Sequence, residues 1–511
     1  MKAAPGWLVA GVFCAALTEA IAGTVVALGR QYMAGDVHAM PDDLAWLDVG
    51  YTAFKLLGFM LTPWLLTRMR PRRLVAGTTV VMGASCLAAA MTLRLDALVA
   101  LRALQGFAGG TLLVAGQAII FLAFERRHQP AHQALFAIAA VVAPATLTPA
   151  LTGWLLERQS WSWIFASVVP LALAACGFLQ RAQDPAPLQL ARRPFDWIGL
   201  ALLFTALSCL TWVFSQGSRW NWFEEPRVLW LASIGTAALL AFLGQQVLAQ
   251  PGVLLDFSLF RSRDFSFACA VSLVAGAALF GTAFLIPSFA LSRLGFTPID
   301  AGVLLLPSAA LFIAALFLSA FLVQVVQAPP IATVPLGILL IVLSMWMLSG
   351  STSDSGMGSM MTAVLLRGLG LGLLFLSITL VTFGTLPEAN LAAGIGLFNA
   401  GRLLGGLMGV AALQTLIDHE TAANFAVLAA NVTAGLPAAG EGLARTTAIL
   451  AARGLDGTAA AATSASMLGR TVVGEAAVIA FDTAFNAIAL GLVVAAPALI
   501  GLKIVLSRLA K

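Results

Sequence analysis

Charge is scarce in this chain: only 10% of its 511 residues are Asp, Glu, Lys or Arg. Ordinary soluble domains carry about 25%. With 60% of residues hydrophobic and a mean hydropathy of +0.95, no water-soluble core could absorb the apolar surface. Tyrosine is nearly missing, at 2 residues against 31 Phe and 12 Trp. The five cysteines (Cys14, Cys86, Cys176, Cys209, Cys269) all fall in apolar segments and show no CxxC spacing, which argues against a disulfide framework or a metal site. Walker A, HExxH and strand-to-helix dinucleotide patterns are absent, and with them the usual signals of nucleotide-dependent or hydrolytic enzymes. No cofactor is expected. The basic pI near 9.2 would fit nucleic acid, but the Lys and Arg residues gather in short turns between apolar runs instead.

What remains is a series of long apolar stretches. A membrane span needs roughly 20 apolar residues. Fourteen such stretches can be read, at about 7–29, 45–67, 74–93, 97–123, 134–156, 163–180, 196–215, 227–248, 266–291, 300–326, 331–349, 359–385, 394–418 and 477–503. The N-terminal MKAAPGWLVAGVFCAALTEA starts like a signal peptide, but its apolar run continues through Val25, Val26 and Leu28, long enough to span. An even count places both termini on one side. Basic residues identify that side as the cytoplasm: with Lys2, Arg192, Arg193 and Lys511 included, fifteen lie on the terminus side and six on the other. The Ala-, Thr- and Gly-rich stretch 419–476 then reads as a long outer loop with a short helical hairpin, serving as a connector or a docking surface.

Five charges interrupt the apolar stretches: Glu19, Lys55, Arg102, Arg367 and Arg402. A charge at the bilayer centre costs ~3 kcal/mol or more and marks a protein-lined or watery interior. Glu19 lies ~18 Å along the first span at 1.5 Å per residue, near mid-membrane. Lys55 sits at similar depth on the second span and is its natural partner. Burial disfavours the ionised carboxyl and a nearby cation favours it, so proton occupancy can follow conformation. Asp48 precedes Lys55 by seven residues and shares its helix face, in an outer vestibule. Arg367 and Arg402 read as structural or gating residues. Static ion pairing is the alternative for Glu19 and Lys55.

Five stretches together resemble the fourteen-helix drug:proton antiporters of the major facilitator superfamily, the EmrB/QacA type. They are RALQGFAGG (Arg102, Gln105, Gly106, Gly109, Gly110), APATLTPALTGW with WSWIF (Pro144, Pro149, Gly153, Trp161), LFRSRDF at 259–265, LGFTPIDAGVLLLP (Pro298, Gly302) and GIGLFNAGRLLGGLMGVAALQT (Phe398, Asn399, Arg402). The resemblance implies an all-α fold of two six-helix bundles, 1–180 and 266–511, with two inserted helices in 181–265. A weak internal echo, LRALQG at 101–106 and LRGLGL at 366–371, fits such a duplication.

The resemblance further implies proton-coupled export of lipophilic toxic compounds across a bacterial inner membrane, with a periplasmic adaptor and an outer-membrane channel as partners. Membrane lipid surrounds the chain, and nucleic acid has no place in this reading. It also implies a proton-exchange role for Arg102. The expected cavity residues are Glu19, Asp48, Tyr51, Lys55, Gln117 and Asn399. The expected hinge and gate residues are Pro144, Thr148, Pro149, Thr152 and Gly153 in the fifth span, with Arg68, Arg72, Arg73, Arg367 and Arg402. The chain departs from the family in three places. PWLLTRMRPRRL has Pro63 and Thr67 where a glycine and an acid are expected, which removes the acid of the cytoplasmic latch. Thr148 and Thr152 replace glycines, predicting looser helix approach. TEAIAGT, with Glu19, replaces an aspartate signature. A dedicated exporter of one metabolite or siderophore, and a non-transporting sensor or scaffold, are the competing readings.

Overall fold

A computed structural model of the chain describes residues 6–184, 194–248, 254, 257–384, 386–432 and 437–508. Lys2, Arg192, Arg193 and Lys511, which entered the charge tally, lie outside them. Among the described residues there are helices and no strands. Fourteen helices are long and apolar enough to cross a membrane.

The first four spans are α1 (Gly6–Val37), α2 (Pro41–Leu66), α3 (Pro71–Ala90) and α4 (Leu95–Ala123). The fifth is α5 (Gln129–Ala137), a π-helical segment (Ile138–Leu147) and α6 (Thr148–Arg158), and the sixth is α7 (Ser162–Ala166) and α8 (Val168–Arg181). Next come α9 (Trp197–Gln216) and α10 (Pro226–Leu248), which pack on each other and lean through α9 on α2. The last six spans are α11 (Arg263–Ser292), α12 (Pro298–Gln324), α13 (Val334–Leu348), α14 (Met357–Phe383), α15 (Glu388–Asn431) and α17 (Gly457–Arg508), with α16 (Pro437–Ala452) before the last. Proline opens α2, α3, α10, α12 and α16, where its fixed φ suits the first turn and its missing N–H costs nothing.

Helices within each array meet by glycine-to-carbonyl contact. Any Cβ at Gly106 or Gly110 of α4 would overlap the backbone carbonyl of Tyr51 or Lys55 on α2. In the second array, Gly368 and Gly372 of α14 stand likewise on the carbonyls of Ser308 and Phe312 of α12. Lipid offers no hydrophobic drive for helix association, so such close backbone packing carries much of the cohesion. Two pairs at four-residue spacing show that α2–α4 and α12–α14 are built alike. The LRALQG/LRGLGL echo is nevertheless out of register with this contact. Arg102 lies a turn before its first contact glycine, whereas Arg367 directly precedes Gly368.

The long outer loop expected at 419–476 is instead mostly helix. The helix of the thirteenth span continues to Asn431 and that of the fourteenth begins at Gly457, with α16 packed against α17. At 1.5 Å per residue the 44 residues of α15 extend ~66 Å, about twice the ~30 Å hydrocarbon core. Alanine has the highest helix propensity and no proline interrupts 388–431, so nothing stops the helix where its apolar run ends.

The missing latch acid is also answered. Thr67 closes α2, its hydroxyl donating to the Trp64 carbonyl at 2.7 Å. Arg72 takes its carboxylate from the end of the sixth span: Nε meets Asp184 Oδ1 at 2.7 Å, and Nη1 donates to the carbonyls of Leu179 and Ala182 at 2.9 Å each. Arg70 adds a contact to Asp184 at 3.2 Å. Arg68 instead stacks on Trp64, 4.6 Å from the ring centre. Desolvation pushes the Asp184 carboxyl up, but hydrogen bonds from Arg72 and Arg70 and their charge outweigh it and hold it below the usual range.

Two outcomes follow from this packing. Gly106→Ala should force α2 from α4 and cost ~1–3 kcal/mol, seen as lower yield of monodisperse protein. Gly77→Ala, whose Cβ would meet nothing within 4 Å, should be neutral or stabilising; equal losses in both would exclude the contact argument. For the clamp, Arg72→Ala and Asp184→Asn should each cost ~1–3 kcal/mol at neutral pH, and the double variant scarcely more than either. Because the folded carboxyl is depressed, this stabilisation is complete above the free value of about 3.9 and fades only as pH falls through the lowered one. Additive losses in thermal unfolding would show that the two side chains do not act together.

Candidate functional site

A central cavity of about 390 Å³ lies between the two arrays. Glu19 on α1 and Lys55 on α2 form one wall, Asn399 and Arg402 on α15 another, and Pro144 and Pro149 a third. Among the described residues three charged side chains line it: Glu19, Lys55 and Arg402.

Tyr51 and Lys55 are one helical turn apart on α2 and so reach the same spot. Both address a single oxygen of Glu19. The Tyr51 hydroxyl donates to Oε1 at 2.9 Å, and the Lys55 ammonium pairs with the same atom. No hydrogen bond to Oε2 is found among the described residues. Glu19 is almost wholly buried and Lys55 is slightly open to the cavity, with side-chain exposures of 3% and 15%. A buried carboxylate without a partner would cost several kcal/mol, and the cation and hydroxyl offset that.

Arg102 lies behind this group rather than in the cavity. Its guanidinium stacks on the far face of Tyr51, 4.1 Å from the ring centre. Nη1 donates to the Ala22 carbonyl at 2.6 Å and to Gln105 Oε1 at 3.0 Å. The result is a continuous chain of polar groups, Arg102–Tyr51–Glu19–Lys55, ending at the cavity wall.

A second polar chain crosses between the arrays. Asn399 Nδ2 donates to Gln117 Oε1 on α4 at 3.1 Å, and Asn399 Oδ1 accepts from Arg402 Nη2 at 2.7 Å. Arg367 stands apart, fully buried, with Nε donating to Thr282 at 2.9 Å.

Of the six expected cavity residues, Glu19, Lys55 and Asn399 line the space. Gln117 is one bond removed and Tyr51 stands behind Glu19. Asp48 does not belong with them: it pairs with Arg30, since the seven-residue spacing sets a shared face but not depth. Arg402, expected only as a structural or gating residue, lines the cavity. Sequence reasoning missed the aromatic wall of α11, where Phe280, Phe284, Pro287 and Leu291 fall on one helical face. Their spacing was visible, but the few hydroxyls of α11, such as Ser272, Thr282 and Ser288, are scattered around the helix, so no polar face marked the inward one.

In the fifth span the backbone widens to a π-helix over Ile138–Leu147, with Pro144 inside it. Proline removes an i→i−4 bond, and such widened turns gather at functional positions. The approach beyond is tight, not loose. Gly153 abuts the Pro298 carbonyl and Gly302 abuts Ala150, while Glu157 Oε1 accepts from the Ile299 amide at 3.2 Å. Thr148, in place of a glycine, accepts a 2.8 Å hydrogen bond from Thr24. Thr152 is buried. On the other side of the cavity the arrays meet through Phe121, Phe383 and Phe398, with ring centres 5.6 and 5.2 Å apart, and where Gly396 abuts Phe59. Arg73 is exposed at the start of α3, away from both contacts. Among the described residues no group of three His, Cys, Asp or Glu side chains could hold a metal, and the cysteines are free.

The fold recurs in solved structures. A bacterial homolog to the human lysosomal transporter Spinster, inward-facing and unoccupied, superposes with a TM-score of 0.57 at 12% identity, covering 99% of this chain and 98% of that one. The human organic anion transporter MFSD10 (TETRAN) gives 0.53 at 15% identity, over 80% and 93%. At these identities the likeness concerns the fold. By sequence the chain is 24% identical to the multidrug export protein EmrB of Escherichia coli (strain K12), over 82% of this chain and 81% of that protein. It is 24% identical to the fatty acid resistance protein FarB of Neisseria gonorrhoeae, over 84% of each. It is 26% identical to the tetracenomycin C resistance and export protein of Streptomyces glaucescens, over 78% and 73%. The family model for the Major Facilitator Superfamily matches residues 8–410, from α1 into α15 and including the polar chains, and the chain belongs to that superfamily of transporters.

Proposed function

We propose that the protein exports lipophilic toxic compounds in exchange for protons, by alternating access across the inner membrane of a bacterium, with both termini cytoplasmic. Membership of the superfamily makes it a transporter rather than an enzyme. The observation that carries the proton-coupled reading is the placement of Glu19: a buried carboxyl at the wall of the central cavity, with one oxygen shared by Lys55 and Tyr51. Relatives named for drug export, fatty acid resistance and antibiotic export support the substrate class.

In this mechanism a proton arriving at Glu19 removes the charge that holds Lys55. The lysine is then a buried cation without its counter-charge, which is costly in an apolar surround. Opening one side of the molecule relieves that cost by hydrating it. The halves 1–180 and 266–511 rock about the π segment, with Pro144, Thr148, Pro149, Thr152 and Gly153 at the moving contact. Gly153 on Pro298 closes one side, and Phe121 on Phe383 closes the other. Arg102, a fixed positive charge stacked on Tyr51, assists proton exchange at Glu19 by holding the phenol in place and favouring the ionised carboxyl. The Gln117–Asn399–Arg402 bridge breaks and reforms with each cycle. A periplasmic adaptor and an outer-membrane channel complete the export route, and the projecting ends of α15 and α17 offer the adaptor its surface.

Purified protein in proteoliposomes with an imposed pH gradient tests the coupling. Glu19→Gln should abolish gradient-driven dye export, a loss of tenfold or more, while the protein stays folded. Replacing both partners, Glu19→Gln with Lys55→Gln, should leave export equally dead. A static ion pair predicts the opposite, because the neutral pair costs little, and export at the parental rate in the double variant would overturn the coupling role.

A further inference from the structure

Apart from the central cavity, a large apolar recess opens on the membrane-facing side of the second array. It measures about 670 Å³ and lies between α11, α13, α14 and α17, toward the end of the bundle that carries the chain termini. Among the described residues no charged side chain lines it, and Thr382 supplies the one hydroxyl. Leu339 and Val493, on its walls, are 62% and 52% exposed, so its mouth faces lipid.

The recess shares its inner wall with a second space. Ala275, Leu374 and Ile378 form its inner wall and also line a narrow crevice of about 20 Å³. Leu279 and Arg402 line both that crevice and the central cavity. Recess, crevice and cavity therefore stand in a row, separated by single layers of side chain. Phe375 lines the crevice, and the Arg402 guanidinium lies over its ring, 5.1 Å from the centre.

Charge at the inner end of this row is one-sided. Glu19 and Lys55 answer each other, whereas Arg402 has no carboxylate within 4 Å among the described residues and is held by the amide oxygen of Asn399. A guanidinium resting on an aromatic face is held weakly. A charge-assisted hydrogen bond to an anion in a site of low dielectric holds it more strongly. An anionic head can thus draw Arg402 off Phe375 and free the ring to turn, so the ligand opens its own path.

We propose that this row is a lateral portal for free single-chain anionic amphiphiles such as alkyl carboxylates. They enter from the leaflet on the terminus side, the tail in the apolar recess and the head brought to Arg402. The proposal rests on the central cavity being the transport cavity.

The test uses the full chain in nanodiscs with an alkyl carboxylate bearing a diazirine near its end, labelled sites being mapped by mass spectrometry. Label should appear on the recess segments 334–342 and 492–499 and on the cavity segments 279–284 and 399–403. Ala275→Trp fills the crevice and should cut cavity labelling at least tenfold while recess labelling persists; persistence of the latter also shows that the variant is folded. Leu374→Trp blocks the same crevice from α14 and replaces it should the first variant misfold. Arg402→Gln should reduce cavity labelling by the carboxylate at least fivefold and leave that by the matching alkyl alcohol unchanged. Unchanged cavity labelling in both crevice variants overturns the portal. So does equal cavity labelling of the parent by the alcohol or by a two-chain phospholipid probe, since the recess would then be an ordinary lipid groove. Glu19→Gln separates the two readings. If it still exports under a pH gradient while the labelling pattern holds, proton coupling fails and the portal stands.

Discussion

A carboxylate in a membrane interior persists only where its charge is answered, and here one atom, Glu19 Oε1, receives both answers. The rest of the first array can be understood from that requirement. Tyr51 and Lys55 must arrive together, so they stand a turn apart on one helix. Their helix must lie close to α4, because Arg102 on α4 backs the Tyr51 ring. Closeness requires glycine at 106 and 110, opposite the carbonyls of the same two residues, 51 and 55. Backbone contact and polar site are therefore one construction. A shift of α2 large enough to relieve a clash at either glycine would also move the ammonium and the hydroxyl off the carboxylate.

Much of this was legible in the residues. Spans show themselves because apolar length is a one-dimensional property, and charges inside them stand out against composition. Glu19 and Lys55 could be matched by depth alone, since antiparallel neighbours at equal depth meet. Three kinds of information were hidden. Helix ends beyond the membrane leave no hydropathy edge, so the alanine-rich continuation of α15 to Asn431 and the early start of α17 read as loop. Partners distant in sequence carry no local mark, which is why Asp184 could not be matched to Arg72 across more than a hundred residues. Rotation of a helix with no polar face is undetermined by pattern, and this concealed the inward face of α11. The internal echo shows the converse error. LRALQG and LRGLGL look equivalent, yet the glycine contacts of α4 and α14 place Arg102 and Arg367 three residues apart in register.

That misregister separates the two arrays in chemistry while their packing stays alike. Where α4 glycines meet α2 at Tyr51 and Lys55, α14 glycines meet α12 at Ser308 and Phe312. One contact thus carries a phenol and an ammonium to a carboxyl, and its counterpart carries a small hydroxyl and an apolar ring. Arg102 is tied to three acceptors and an aromatic face, but Arg367 has one side-chain bond and no ionised partner among the described residues. In the reading proposed above, titration therefore belongs to the first array, and the second supplies apolar walls and the unanswered charge of Arg402. The Gln117–Asn399 bond is one of the places where the two meet. In the alternating-access mechanism proposed above, a neutral amide pair suits that place: it would cost little to break as the halves part, whereas a buried ion pair would resist that motion.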